Sequence, residues 1–186
     1  MSEEAFDAVI VGAGPAGSAA ATVLARSGLD VVLVERGSAA GSKNLSGGRL
    51  YAHSVQKVFP DFAAQAPLER RIAKERISLL TPESATTVEF ASDKLDGPNA
   101  SYSVLRAPFD QWLADQAEEA GATVVTGIRV DDLLVTEGRV HGVVAGGEEM
   151  EAKVVLLADG ALSLLARRAG LIGEPDPHHY AVGAKE

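Results

Sequence analysis

The run Phe6-Asp7-Ala8-Val9-Ile10-Val11, then Gly12-Ala13-Gly14-Pro15-Ala16-Gly17, then Asp30-Val31-Val32-Leu33-Val34-Glu35, decides the fold. A short, mostly apolar, β-branched run bounded by glycine suits a parallel strand covered on both faces. Ala16–Ser27 reads as a helix with Ala19, Ala20, Val23 and Leu24 on its buried face, stopped by Gly28 as by a C-terminal cap. Strand, glycine turn, helix and strand within about 30 residues form a βαβ unit with parallel strands.

The spacing of Gly12, Gly14 and Gly17 matches the dinucleotide fingerprint. Gly12 permits the tight turn, Gly14 lets the backbone approach a pyrophosphate, and Gly17 lets the helix sit close on the strand. Ala13, Pro15 and Ala16 complete that turn, and the helix N-terminus offers free N–H groups and positive partial charge to phosphates. Glu35 lies eighteen positions after Gly17, near the ~20 expected for an acceptor of ribose hydroxyls. A carboxylate there repels a 2′-phosphate, which disfavours NADP. The alternatives are a generic strand-to-helix turn and a solvent-facing glutamate. Arg36 either covers an adenine or is merely solvated.

Outward from this unit, Arg36 to Leu50 reads as loop, Ala52–Phe59 as a short helix ended by Pro60, and Ile72–Thr81 and Thr86–Phe90 as strands. Asp96-Gly97-Pro98-Asn99 is loop. A strand at Tyr102–Leu105 precedes a helix over Pro108–Ala120, with Phe109, Trp112, Leu113, Ala117 and Ala120 on one face. Proline in its first turn and Asp110 just inside suit a helix N-terminus. Strands follow at Ala122–Thr126, Arg129–Val135, Arg139–Ala145 and Glu149–Leu157, with turns at Glu137-Gly138 and Gly146-Gly147. Ala158-Asp159-Gly160 then opens a helix to Ala169. The expected fold class is α/β: a Rossmann-like parallel sheet carrying an antiparallel three-stranded meander.

The chain has 186 residues, enough for one core by the usual length prior. Hydrophobic residues at 46% and charged residues at 23% argue against disorder and a coiled coil. Seventeen Lys+Arg against 26 Asp+Glu give a net charge of -9, which repels phosphate backbones, so no nucleic-acid partner is expected. The absence of cysteine excludes a disulfide framework, a thiolate metal site and a cysteine nucleophile. Met1-Ser2-Glu3-Glu4 is acidic where a signal peptide is basic, and no apolar run nears the ~18 residues of a membrane span. The expected setting is cytoplasmic. His53, His141, His178 and His179 sit in no ligand or triad spacing, the 178–179 pair reading as loop surface. No metal site is expected, and no catalytic side chain stands out.

Asp7-Ala8-Val9-Ile10-Val11-Gly12-Ala13-Gly14-Pro15-Ala16-Gly17, with Glu35-Arg36-Gly37, resembles the opening of FAD-binding flavoproteins of the glutathione-reductase superfamily. Gly41-Ser42-Lys43-Asn44-Leu45-Ser46-Gly47-Gly48, Pro60-Asp61-Phe62 and Ala66-Pro67-Leu68-Glu69-Arg70 resemble the FixC proteins within it. Arg106-Ala107-Pro108-Phe109-Asp110, Ala120-Gly121-Ala122 and Leu156-Leu157-Ala158-Asp159-Gly160 fit the same pattern. FixC proteins are similar to electron-transfer flavoprotein:quinone oxidoreductases and geranylgeranyl reductases.

The resemblance implies FAD as cofactor, which carries the chemistry while the protein binds and orients it. It implies that Arg106 reaches the ribityl–pyrophosphate region, where planar donors match phosphate oxygens, a surface ion pair being the alternative. It places the Arg129-Val130 strand start at the adenine edge, with Val130 contributing backbone groups. Ala158, Asp159 and Gly160 would form the turn near the adenosine, unless Asp159 simply caps the following helix. Ser46, Gly47 and Gly48 would run beside the isoalloxazine ring, or else form a flexible surface loop. Electrons would pass from an electron-transfer flavoprotein or ferredoxin-like protein through FAD to a quinone.

Geranylgeranyl-reductase-like chemistry on an isoprenoid, aromatic-hydroxylase-like chemistry and a truncated, non-catalytic dinucleotide-binding module are the alternatives. The family pattern continues with a glycine–aspartate turn over the flavin and a substrate or quinone domain, which nothing here matches; nor is there an iron–sulfur ligand set. The expectation is therefore an N-terminal FAD-binding domain over 1–186, with a strand-containing insertion at about 51–105. Such a form would self-associate, and peripheral membrane contact would belong to the full-length protein.

Overall fold

The computed structural model describes residues 5–173 together with Asp176 and His178. It divides into two compact units, one of residues up to Leu45 and from Asp110 onward, the other Ser46–Phe109. His179 and the segments Met1–Glu4 and 179–186 lie outside the described residues, as do Glu174, Pro175 and Pro177.

The first unit is built on β1 (Phe6–Val11), α1 (Pro15–Arg26) and β2 (Val31–Glu35). The two strands pair in parallel, Ala8 with Val31 through Val11 with Val34. They are the apolar runs of the opening sequence, and Val9, Ile10, Val31 and Leu33 are fully buried. β8 (Thr123–Thr126) lies parallel on the far side of β2. On the near side of β1 lies the second half of β11 (Glu148–Leu157), paired in parallel from Phe6↔Ala152 to Val11↔Leu157. The first half of β11 runs antiparallel to β10 (Arg139–Ala145), which in turn pairs antiparallel with β9 (Val130–Thr136). The order β8-β2-β1-β11-β10-β9 is thus a parallel sheet whose last strand is also the first rib of a meander, as the sequence predicts.

Each face of β1 and β2 has its own cover. Ala8, Ile10, Val31 and Leu33 pack with Ala21 and Ala25 of α1 and with Ala114 and Ala117 of α4 (Arg106–Glu119). Val9, Val11, Val32 and Val34 pack with Val130, Val143 and Ala145 of the meander and Leu165 of α5 (Leu164–Arg168).

The buried face of α1 differs in part from the expected one, since Ala20 and Leu24 do pack against the core but Val23 does not. Gly17, Ser18, Ala21, Thr22 and Ala25 are buried, while Val23 is 47% exposed and Ala19, Ala20 and Leu24 are half-buried. Close approach to the sheet selects the smallest side chains, so size outranks hydropathy on this face.

In the second unit, β3 (Gly47–Tyr51), β7 (Ser101–Leu105) and β4 (Leu68–Arg71) form an antiparallel sheet in the order β3-β7-β4. The assignment of residues up to Leu50 to a loop is corrected here: Gly47 to Tyr51 pair in register with Leu105 to Ser101. The two glycines conceal a strand that owes its form to its partner rather than to propensity. The helix expected over Ala52–Phe59 ends at Val55 (α2, Ala52–Val55), and a separate turn of helix, α3 (Phe62–Gln65), follows Pro60. β5 (Lys74–Leu80) and β6 (Ala85–Ala91) form a two-stranded hairpin. α4 starts at Arg106, two residues before the expected Pro108, because proline fits anywhere in a first turn whose N–H groups lack intrahelical partners.

No helix among the described residues is long and apolar enough to cross a membrane.

A candidate nucleotide-binding turn

The turn between β1 and α1 is held from both neighbouring strands. The Gly12 amide donates to the Val34 carbonyl at 2.8 Å, and the Ala158 amide to the Val11 carbonyl at 2.9 Å. Gly12 has φ +102°, a left-handed conformation that favours glycine, and a Cβ there would stand 2.6 Å from the Ala158 carbonyl oxygen. A Cβ on Gly17 would lie 1.9 Å from the Gly12 oxygen. These two glycines are therefore demanded by the chain's own packing.

Gly14 is different. Its φ of -78° suits any residue, and a Cβ would meet nothing within 4 Å. The protein itself gives no reason for a bare backbone there. The open space lies at the N-cap of α1, whose first turn holds no acidic side chain to offset its positive end. Pro15 and Ala16 are exposed beside it, and the hydroxyl of buried Ser18 has no partner among the described residues. An open cradle, unused amides and an uncompensated helix end fit a phosphate group.

Glu35 ends β2 half-buried, and both of its oxygens are engaged. Oε2 accepts the Ala13 amide at 3.0 Å and Oε1 the Gly37 amide at 2.6 Å. The backbone beyond is fixed too: Gly127 donates to the Gly37 carbonyl at 2.6 Å and Ile128 to the Glu35 carbonyl at 3.1 Å. This brings the approach to Val130, itself buried, alongside Glu35. Arg36 is exposed on the following loop.

Ala158-Asp159-Gly160 packs against Gly12, and Gly160 has φ +81°. The Asp159 carboxylate accepts the Leu165 amide at 3.0 Å, so it holds the start of α5. The first unit therefore gathers residues 12–17, Glu35 and 158–160 at the C-terminal ends of β1, β2 and β11, with the approach to Val130 beside Glu35.

The second unit gathers the remaining candidates. Ser46, Gly47 and Gly48 lie exposed at the start of β3, where Gly47 pairs with Leu105 and the Arg106 amide donates to the Ser46 carbonyl at 3.2 Å. Two motifs about 60 residues apart in sequence are thus neighbours, with the Arg106 side chain half-buried.

One pairing escaped the sequence reading. Asp110 was expected to serve the N-terminus of its helix by charge. It is instead fully buried as the fifth residue of α4, and its Oδ2 accepts a hydrogen bond from Asn44 Nδ2 at 2.7 Å. The signal available was an acidic residue among the apolar positions Phe109 and Leu113, a place where a charge needs a polar partner. No group of three or more His, Asp or Glu among the described residues is arranged to hold a metal ion.

Comparison with known proteins shows the family and the fold. The family model described as FAD dependent oxidoreductase matches residues 7–176. The chain is 54% identical over its whole length to the probable electron transfer flavoprotein-quinone oxidoreductase YdiS of Escherichia coli K12, and 53% identical to protein FixC of Salmonella typhi. It spans 44% of the length of each. Among solved structures, a geranylgeranyl bacteriochlorophyll reductase-like protein from Thermoplasma acidophilum superposes with a TM-score of 0.76 at 29% identity, over 90% of this chain and 42% of that one. The FAD-dependent halogenase CndH superposes with a TM-score of 0.73 at 26% identity, over 89% of this chain and 39% of that one.

Proposed function

The chain belongs to the FAD dependent oxidoreductase family, and from that premise we propose that its first unit holds the ADP half of FAD. The observation that carries the proposal is the bare Gly14 at the head of α1, which nothing in the chain itself requires. In this reading the turn Gly12–Gly17, with Ala13, Pro15 and Ala16, receives the pyrophosphate, and Glu35 accepts the ribose hydroxyls. Arg36 and Val130 flank the adenine, and Ala158, Asp159 and Gly160 close the adenosine end. Ser46, Gly47, Gly48 and Arg106 are assigned to the flavin half on resemblance. Bound FAD supplies the chemistry, taking up electrons as hydride or one at a time.

For the longer protein typified by these relatives, the function favoured is electron transfer from an electron-transfer flavoprotein or ferredoxin-like donor to a quinone. The names of YdiS and its like support it. A second reading, reduction of an isoprenoid double bond, draws on the likeness to the Thermoplasma protein. A non-catalytic dinucleotide-binding module is the rival from another class. Its mark would be protein that stays colourless once added FAD has been passed off on a desalting column.

Two further proposals concern the chain's surroundings. It self-associates through the apolar face of the β5–β6 hairpin, where Ile77, Leu79, Val88 and Phe90 are exposed. Any membrane contact of the longer protein is peripheral.

Thermal shift measurements test the site. ADP and FAD should raise the melting temperature and NADP should do so less, because the Glu35 carboxylate repels a 2′-phosphate. Gly14→Val should abolish the shifts while leaving the far-UV spectrum and the unliganded melting temperature unchanged. Equal shifts with NADP and ADP, or native affinity in Gly14→Val, would overturn the assignment.

A further inference from the structure

We infer that Glu35 is a positioning residue for the phosphate turn, closing it before any nucleotide is present. This rests on the nucleotide reading above and extends it. The Ala13 amide, between Gly12 and Gly14, donates to Glu35 Oε2 at 3.0 Å, and Ala13 is fully buried. Its neighbours are glycines, which lose the most conformational freedom on ordering. A fixed acceptor at Ala13 therefore restrains the part of the turn least able to restrain itself.

Glu35 is well placed to do this. Its second oxygen takes the Gly37 amide at 2.6 Å, and its own carbonyl takes the Ile128 amide at 3.1 Å. Gly37 is confined as well: a Cβ there would stand 2.5 Å from Ser42 Oγ and 3.0 Å from Glu35 Oε1. The carboxylate thus bridges the turn after β1 to the loop after β2. An ionised carboxylate has about four lone-pair sites, so two remain for hydroxyl donors while the turn stays closed. Glutamine cannot replace it, because its NH2 would face one of the two amide donors and leave that donor unpaired.

The discriminating ligand is 2′,3′-dideoxy-ADP, which keeps the pyrophosphate and lacks the ribose hydroxyls. Calorimetric titration of the wild-type chain, Glu35→Gln and Glu35→Asp with ADP and with the dideoxy compound separates the two roles. The expected result is that both variants bind dideoxy-ADP roughly tenfold more weakly than wild type. Amide exchange at Ala13 and Gly37 should accelerate in the ligand-free variants, Glu35→Asp keeping the charge but falling one methylene short. Variants that bind dideoxy-ADP like wild type, with unchanged exchange at both amides, would confine Glu35 to the ribose and overturn the inference. Wild-type protein that binds neither ligand would sink the nucleotide reading instead, and the exchange rates would still decide whether Glu35 closes the turn.

Discussion

The same residue types lead two different lives in this molecule. In β1 and β2, runs of four successive apolar residues, Ala8–Val11 and Val31–Val34, are buried on both faces, with Ile10 fully inaccessible. In the β5–β6 hairpin, Ile77 is 73% exposed although the strand is as regular. The hairpin is amphipathic. Ile77 and Leu79 share a face with Val88, which pairs with Ile77, and with Phe90, which pairs with Glu75, while Arg76–Glu89 and Ser78–Thr87 pair on the other. What separates the regions is cover rather than pattern: helices lie on one face of the parallel sheet and the meander on the other, whereas two strands alone have no second layer. Alternating hydrophobicity thus specifies a surface to be covered, and the cover has to come from elsewhere.

The sharpest way to break the comparison is one substitution made in both regions. Ile10→Ala should cost about 3 kcal/mol in urea unfolding through the cavity it leaves. Ile77→Ala should change stability by less than about 0.5 kcal/mol. Measured at dilutions where the chain is monomeric, a large loss at Ile77 would mean that the hairpin face is covered within the chain itself.

A second experiment sharpens the same point. Ile77→Thr with Val88→Thr keeps β-branched side chains on the hairpin and removes apolar surface. Light scattering should show self-association weakened about tenfold, equivalent to about 1.4 kcal/mol, with the melting temperature unchanged. Self-association at the wild-type level in the double variant would place the sticky surface elsewhere.

The smallest expected effect is electrostatic. A hydrogen bond from Lys153, with the Asp30 amide adding to it, holds Asp7 below its ordinary value. Arg76 and then Lys74 do the same for Glu89, and Arg49 for Glu75. A carboxyl lowered in the folded state contributes stability that is complete above its unfolded value, near 4, and fades as pH falls through the folded one. The Asp7 and Glu89 pairs are exposed and the Arg49–Glu75 pair is only part-buried, so the melting temperature should drift only slightly below about pH 4. Glu89→Gln should flatten the hairpin's share of that drift, read as amide exchange at Ser78 and Thr87. An unchanged profile would mean that the pairs contribute nothing.

The parallel sheet and its meander were legible in the sequence because their signals are local. The apolar runs, the three glycines and the Glu137-Gly138 turn each declare themselves within a few residues, and both turn residues take the positive φ such a turn needs. β3 was not legible, since Gly47 and Gly48 form a strand only because Val104 and Leu105 lie opposite. The buried face of α1 misled for a related reason: Val23 is the more apolar residue, but Gly17 and Ala21 are the ones small enough to approach the sheet. Asp110 read as a helix-end charge because its partner, Asn44, is 66 positions away. Of the candidate site, the residue types and their spacing were readable; the engagement of Glu35 with Ala13 was not, because no sequence pattern reports which lone pairs are already taken.

The two-part strand β11 also sets a timetable. β1 acquires its partner on that side only when the chain reaches Ala152, and the bridge from Lys153 to Asp7 spans 146 positions. At a synthesis rate of roughly 5–20 residues per second, the nascent β1–β2 pair waits on the order of 6–24 s for its neighbour. The hairpin, with its short turn, closes long before then. During that interval the unfinished sheet edge is open to solvent in addition to the hairpin's apolar face, which stays exposed in the finished fold, and this makes biogenesis the period of greatest aggregation hazard for this chain.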